Sequence, residues 1–222
     1  VIYKKVDKMR YLIVCGGKID KEFGLNEIKT DGIDAIIAAD SGMDFLYENS
    51  VTPDIIVGDF DSTKTNALEY FERKGQTEIR RLNPIKDDTD TEYAIRLAIS
   101  EGARSIVVLG ATGSRIDHVL GNISLLGIGL ESGTDICIID TNNRIRMADK
   151  PVTIEKSAQY GRFVSLIAVT DDNEVSLKGF KYPVTDYSFD RFTSLGISNE
   201  IVDDQAVVDI HRGKFIIIES KD

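Results

Sequence analysis

Basic charge is the first thing this sequence has little of. Its 222 residues carry 27 Lys and Arg against 37 Asp and Glu, for a formal net charge of −10 at pH 7. A domain that binds duplex nucleic acid presents a basic face, so nucleic acid is not an expected partner, and neither is an anionic membrane. Cysteine is scarce too. Cys15 and Cys137 each sit inside an apolar run and read as small buried hydrophobes rather than as a bridge or a nucleophile. The chain shows no apolar run long enough to span a bilayer and no signal-peptide pattern. A reducing, cytoplasmic setting is therefore expected. Missing as well are a G-x-x-x-x-G-K-[ST] phosphate loop, the protein-kinase signature set and any Cys/His constellation with zinc spacing. An acidic protein can still bind an anionic nucleotide, provided that divalent cations and a few well-placed Arg or Lys offset the charge.

What is present is an ordinary globular composition, 42% hydrophobic and 29% charged, in a chain long enough for one large domain or two modest ones. The first eight residues read as a polar extension outside the fold. From residue 9 to about 142, short apolar runs at 11–15, 35–39, 55–57, 79–82, 105–109 and 136–139 alternate with segments of helical spacing. Ala67, Leu68 and Phe71 with Gly75, and Tyr93, Ala94, Leu97 and Ala98 with Gly102, each read as a helix and its glycine stop. Buried strands alternating with helices imply an α/β domain with a parallel sheet covered on both faces. From 143 to 222 the texture changes. Strand-like segments at 152–155, 163–169, 174–177, 206–210 and 214–219 are separated by turn material such as Asp171-Asp172-Asn173 and Arg212-Gly213. A second, all-β domain follows, expected to be a sandwich.

In an open parallel α/β sheet, ligands bind outside the carboxyl ends of the strands, and the polar residues collect there. Asp40 follows the second run and Gly58-Asp59-Phe60-Asp61 the third. Two carboxylates one residue apart beyond a strand can converge on one magnesium ion, although a helix-capping turn would look similar. Asp87, Asp88 and Asp90 come next. Asp88 or Thr89 can cap a helix there, but three carboxylates so close together need a cation or solvent to relieve their repulsion. Asp87 and Asp90 are three apart and share one side of a helical turn. The third element, GATGSRIDHVLGN at 110–122, offers backbone amides and a helix N-terminus to phosphate oxygens, with Arg115 as a fork of donors. Asp117 can hold Arg115 or contact a substrate. His118 is as readily structural as catalytic, and His211 reads as structural or exposed. Gly16-Gly17-Lys18 occupies the end of the first strand.

These stretches, in this order, resemble the thiamine pyrophosphokinase family in its bacterial form. The matching segments are AADSGMDFL (38–46), PDIIVGDFDS (53–62), KDDTDTEYA (86–94), LGATGSRIDHVLGN (109–122) and FTSLGISNE (192–200). The resemblance implies an enzyme that transfers the pyrophosphoryl group of ATP to thiamine with Mg2+, working as a homodimer with active sites between subunits. It implies that Asp40, Asp59, Asp61 and Asp90 hold metal. Asp59, Asp61, Asp87, Asp90 and Arg115 would serve catalysis. Gly16, Asp40, Gly110, Thr112, Gly113 and Arg115 would bind the nucleotide, and Asp117, Ser198 and Asn199 the thiamine. No aromatic follows Ser198-Asn199, where some members of the family stack thiamine.

Two other readings compete. An apolar strand followed by Asp-x-Asp-x-Thr, here 55–63, is also the signature of a haloacid-dehalogenase-type phosphatase with Asp59 as nucleophile. The motif follows the third strand rather than the first, and Lys86 lies too near to complete that set. A silent binding protein for nucleotide or thiamine would not need so many carboxylates beside a polyphosphate.

Overall fold

A computed structural model describes residues 9–60, 66–83 and 88–222 of the chain. It divides into two compact units, one reaching to Ile136 and one starting at Cys137.

The first unit is built on β1 (Arg10–Val14), β2 (Ala35–Ala39), β3 (Ile55–Gly58), β4 (Glu78–Arg81) and β5 (Ser105–Leu109). All four pairings among them are parallel, in the order β5-β1-β2-β3-β4. The inner strands are covered on both faces, which is why they read as unbroken apolar runs: Leu12, Ile13, Val14, Ile37, Ile56 and Val57 are all essentially inaccessible. β4 is the edge strand, and its Glu-Ile-Arg-Arg sequence makes it the weakest of the runs.

The connecting helices are α1 (Lys21–Ile28), α2 (Gly42–Glu48), α3 (Ala67–Lys74), α4 (Asp90–Ser100) and α5 (Ile116–Ser132). α3 ends as expected on Gly75 in the left-handed conformation. α4 runs one turn further back than its apolar spacing suggests, because Thr89 accepts a hydrogen bond from the Glu92 amide at 3.2 Å and caps it. Asp88 is left as a solvated charge. Only the start of α5 is legible in the sequence, since glycines interrupt its apolar spacing further on. Gly129 has a packing reason: a Cβ there would lie 2.6 Å from the Thr134 carbonyl oxygen.

β6 (Asp135–Ile139) leads into the second unit and pairs antiparallel with β7 (Asn143–Ala148). Four more segments add to the antiparallel pairing: β8 (Val152–Glu155), β9 (Phe163–Ala168), β10 (Glu174–Lys178) and β11 (Val184–Ser188). The last three are β12 (Asn199–Glu200), β13 (Gln205–Arg212) and β14 (Phe215–Ser220). One layer has the order β12-β9-β14-β7-β6 and the other β11-β10-β13-β8. Alternate residues of both layers, among them Val164, Leu166, Val175, Val208, Phe215 and Ile217, form one core. The unit is an antiparallel β-sandwich, as expected. β7, β11 and β12 had given no strand signal; β7 carries Arg144 and Arg146 where a core strand would carry hydrophobes. Among the described residues no helix is long and apolar enough to cross a membrane.

Candidate active site

β2, β3 and β4 continue to one side of β1, whereas β5 returns to the other side. At such a reversal the connections leave in opposite directions and open a cleft beyond the strand ends. A cavity of about 760 Å³ lies there, lined by the residues that follow β1, β2, β3 and β5 and by the first turns of α4 and α5.

Asp40, Asp59 and Asp90 meet in this cleft. Each offers a carboxylate oxygen, and the three oxygens lie within 4.8 Å of one another. All three side chains are half-buried. At that spacing ionised carboxylates repel one another unless a cation or solvent lies between them. The N-terminus of α4 offsets part of this for Asp90, the first helical residue. Backbone strain supports the arrangement. Asp40 has φ 48° and Phe60 φ 62°. Left-handed conformations of this kind cost non-glycine residues about 1–3 kcal/mol and collect at functional sites. The Asp40 amide extends the β2–β3 ladder by donating to the Val57 carbonyl at 2.8 Å. Asp61 and Asp87 lie outside the described residues.

The glycine loop at 110–115 forms the opposite wall. Gly110 (φ 67°) and Gly17 are glycines because two backbones cross there: a Cβ on Gly17 would lie 2.3 Å from the Gly110 carbonyl oxygen, and one on Gly110 would lie 2.4 Å from that of Cys15. The Gly17 amide donates to Gly110 at 2.9 Å. Gly16, Thr112 and Gly113 also line the cavity, and Gly113 is exposed. Asn122, one turn after His118 on α5, donates from Nδ2 to the Ala111 carbonyl at 2.8 Å and anchors the loop. Asn122, Ser41, Thr91 and Lys18 also line the site, although the sequence reading gave none of them a role of its own. Spacing could have revealed Asn122, since it shares a helix face with His118. Cys15 lies in the floor, where burial pushes its thiol up to about 11, so it stays an unreactive thiol. Cys137 is half-buried, and neither cysteine is bridged.

Arg115 immediately precedes α5 and is exposed. Its Nε and Nη2 donate to the two Asp117 carboxylate oxygens at 3.2 and 2.6 Å. Hydrogen bonding from Arg115 holds the Asp117 carboxyl down to about 2. The pair is solvated, so a phosphate can take over the guanidinium at little expense. Because the folded pKa is depressed, the interaction is fully present above about pH 4, the ordinary carboxylate value, and fades as pH falls through about 2. An NMR titration should place the Asp117 midpoint well below that ordinary value and return it there in Arg115→Gln. An unchanged midpoint in the variant would remove Arg115 as the cause.

In the second unit, Ser198 is exposed with φ 60°, and its amide donates to Ser165 Oγ at 2.9 Å. Asn199 is buried. Its carboxamide accepts from the Tyr182 and Glu200 amides and donates to the Tyr182 carbonyl, at 2.9 to 3.0 Å. It therefore ties the backbone just after Ser198 to that of Tyr182. His211 Nε2 lies 3.0 Å from Ser176 Oγ and 3.3 Å from Asp186, within the β10–β11–β13 sheet and far from any of these roles.

An α/β unit with convergent carboxylates and a glycine loop at its switch point, followed by a β-sandwich, defines a two-unit protein with a strand-end ligand cleft. Residues 29–138 match the family model described as thiamin pyrophosphokinase, catalytic domain, and residues 151–215 match thiamin pyrophosphokinase, vitamin B1 binding domain. The chain is 33% identical over 188 residues to the thiamine pyrophosphokinase of Bacillus subtilis, covering 84% of this chain and 87% of that protein. The crystal structure of a Bacillus subtilis thiamine pyrophosphokinase superposes with a TM-score of 0.86 at 30% identity, covering 96% of this chain and 99% of the other. That from Geobacillus thermodenitrificans does so at 0.84 and 29%, covering 96% and 98%. The chain belongs to the thiamine pyrophosphokinase family.

Proposed function

We propose that this chain transfers the pyrophosphoryl group of ATP to the hydroxyl of thiamine, giving thiamine diphosphate and AMP, with Mg2+ as cofactor. The observation that carries this reading is the convergence of Asp40, Asp59 and Asp90 in a cleft whose far wall is the Arg115-bearing glycine loop. The donor set fits the ion: three carboxylate oxygens and no nitrogen or sulfur suit a hard cation that keeps positions for phosphate and water. Asp40, Asp59 and Asp90 would hold it, together with Asp61. When bound, Mg2+ neutralises charge on the polyphosphate and polarises it towards attack.

The chain's own residues do the rest. The amides of residues 110–113 and the start of α5 bind phosphate oxygens, with Gly16, Thr112 and Gly113 leaving room for them. Arg115 swings from Asp117 to the phosphates and offsets the charge that leaves with AMP. Asp87 would serve catalysis together with Asp90. Asp117, Ser198 and Asn199 orient thiamine so that its hydroxyl oxygen lies in line with the β-phosphorus.

By role, residues 9–142 form the nucleotide- and metal-binding domain, and residues 143–222 the domain that contributes to the thiamine pocket and to a homodimer with active sites between subunits. Support for the dimer comes from apolar groups left in solvent, notably Phe192 at 91%, Leu195 at 58% and Ile197 at 48% exposure. The two free thiols suit a cytoplasmic enzyme.

Incubation with ATP, MgCl2 and thiamine, followed by mass analysis, should yield AMP and thiamine diphosphate in equal amounts. Release of inorganic phosphate with an aspartyl-phosphate on Asp59 would favour the phosphatase reading instead. Nucleotide binding without AMP would favour a silent binding protein.

A further inference from the structure

The side chain between the two acidic residues of Asp59-Phe60-Asp61 is not among those lining the cavity. Phe60 is a bulky residue in the left-handed region (φ 62°) and yet only 8% exposed. Nothing in a tight turn favours phenylalanine there; glycine or asparagine would adopt this conformation with less strain. The ring must therefore be held by what it touches.

Its contacts reach β3 and β4. On one side the ring lies against Gly58 at the end of β3: a Cβ built on Gly58 would be 3.0 Å from Phe60 Cε1 and 3.2 Å from Cδ1. The same Cβ would be 3.2 Å from the Cα of Asp40, so ring, Gly58 and the Asp40 backbone form one close-packed stack. On the other side the Arg81 guanidinium of β4 sits 5.4 Å from the ring centroid and is itself held by Glu72 of α3. The Leu82 amide donates to the Gly58 carbonyl at 2.9 Å and closes the arrangement.

We infer that Phe60 is a positioning residue for the carboxylate centre: its ring, wedged between Gly58 and Arg81, locks the turn that presents Asp59 to Asp40 and Asp90. The causal step is torsional. If the ring leaves its slot, residue 60 relaxes to negative φ. That rotates the peptide joining residues 59 and 60 and carries the Asp59 carboxylate away from the other two. Buried apolar contact thus supplies what the mutual repulsion of the carboxylates opposes. Phe60 touches neither substrate nor metal and acts only through Asp59. The inference rests on the metal-site reading above.

Direct cation binding separates the two claims. Mn2+ is titrated into the free enzyme and followed by electron paramagnetic resonance, without nucleotide, in the parent, Asp59→Asn, Phe60→Gly, Phe60→Leu and Phe60→Tyr. Glycine holds positive φ without strain, so Phe60→Gly removes the ring alone. Residues that orient metal ligands typically change affinity ~10–100-fold. A weakening of that size is expected for Phe60→Leu, which loses the ring but keeps the side-chain strain at positive φ, whereas Phe60→Gly, free of that strain, should bind Mn2+ more tightly than Phe60→Leu. The Mg2+ concentration for half-maximal turnover should rise in parallel, with KM for thiamine unchanged. Phe60→Tyr, which keeps the ring, should bind Mn2+ nearly as the parent does. Leucine keeps apolar volume in the slot, so the test stays decisive if the glycine variant folds poorly. Mn2+ affinity within twofold of the parent in folded Phe60→Leu, with Asp59→Asn weakened, overturns the role of Phe60. Undiminished Mn2+ binding by Asp59→Asn overturns the metal-site reading and this inference with it.

Discussion

Asp59→Asn should lose at least ~10³-fold in kcat, since metal-borne charge stabilisation is worth several kcal/mol and each 1.36 kcal/mol is tenfold in rate. The fold should survive, because the change exchanges one oxygen for an amide at a half-buried position. The metal-free variant should be no less stable than the parent. Three carboxylate oxygens within 4.8 Å repel, and removing one charge relieves two of the three pairings. Melting curves in EDTA should therefore place Asp59→Asn level with the parent or above it, while added Mg2+ raises the parent more than the variant. This opposition of activity and stability distinguishes a metal centre from a capping turn: loss of a cap lowers stability. Asp90→Asn should behave alike, tempered by its place at the start of α4, where a negative charge is favourable. Near-normal turnover in Asp59→Asn would sink the metal-centre claim.

The second large effect concerns stability alone. Glu219, on β14, is fully buried. Its carboxylate accepts from Arg144 Nε and Nη2 at 2.8 and 2.6 Å, from Arg146 Nη2 at 2.8 Å and from the Tyr160 amide at 2.9 Å. Arg144 also stacks on Tyr160, with 5.5 Å between guanidinium carbon and ring centroid. Removing one member of a buried ion pair strands the remaining charges, an effect of about 3–5 kcal/mol. Both arginine side chains keep about a quarter of their exposure, so Glu219→Gln should fall near the lower end, about 3 kcal/mol. Urea denaturation should show the midpoint falling with little change in slope. A loss under about 1 kcal/mol would mean that the cluster behaves as an ordinary surface network. The cluster lies on β7, β14 and the segment at Tyr160, so variants that remain folded should keep the substrate affinity of the parent.

Glu219 also marks a limit of sequence reading. The alternation Phe215, Ile217, Glu219 on β14 places a glutamate on the core face and gives no hint of what meets it. Its partners come from β7, a strand whose Asn-Arg-Ile-Arg-Met-Ala sequence had no strand signature because its arginines point at that glutamate. Each segment is anomalous alone and ordinary when paired. The body of α5, beyond its legible start, is obscured for a similar reason: its glycines weaken the helical pattern, and Gly129 is justified only by the close approach of Thr134.

The buried strands of the first unit, the glycine stop of α3, the alternation of the second unit and the carboxylates at strand ends were all determined by the sequence itself. Each depends on groups within a few residues of one another, where propensity, capping and side-chain period act. Only the tertiary structure decided that β5 lies beside β1, so that the loop carrying Arg115 faces Asp40, Asp59 and Asp90 across one cleft. It alone decided that Phe60 fills the slot between Gly58 and Arg81, and that Arg144 and Arg146 meet Glu219. Those outcomes depend on strand order and on contacts between segments distant in sequence, and no local pattern of residues encodes which segments will be neighbours.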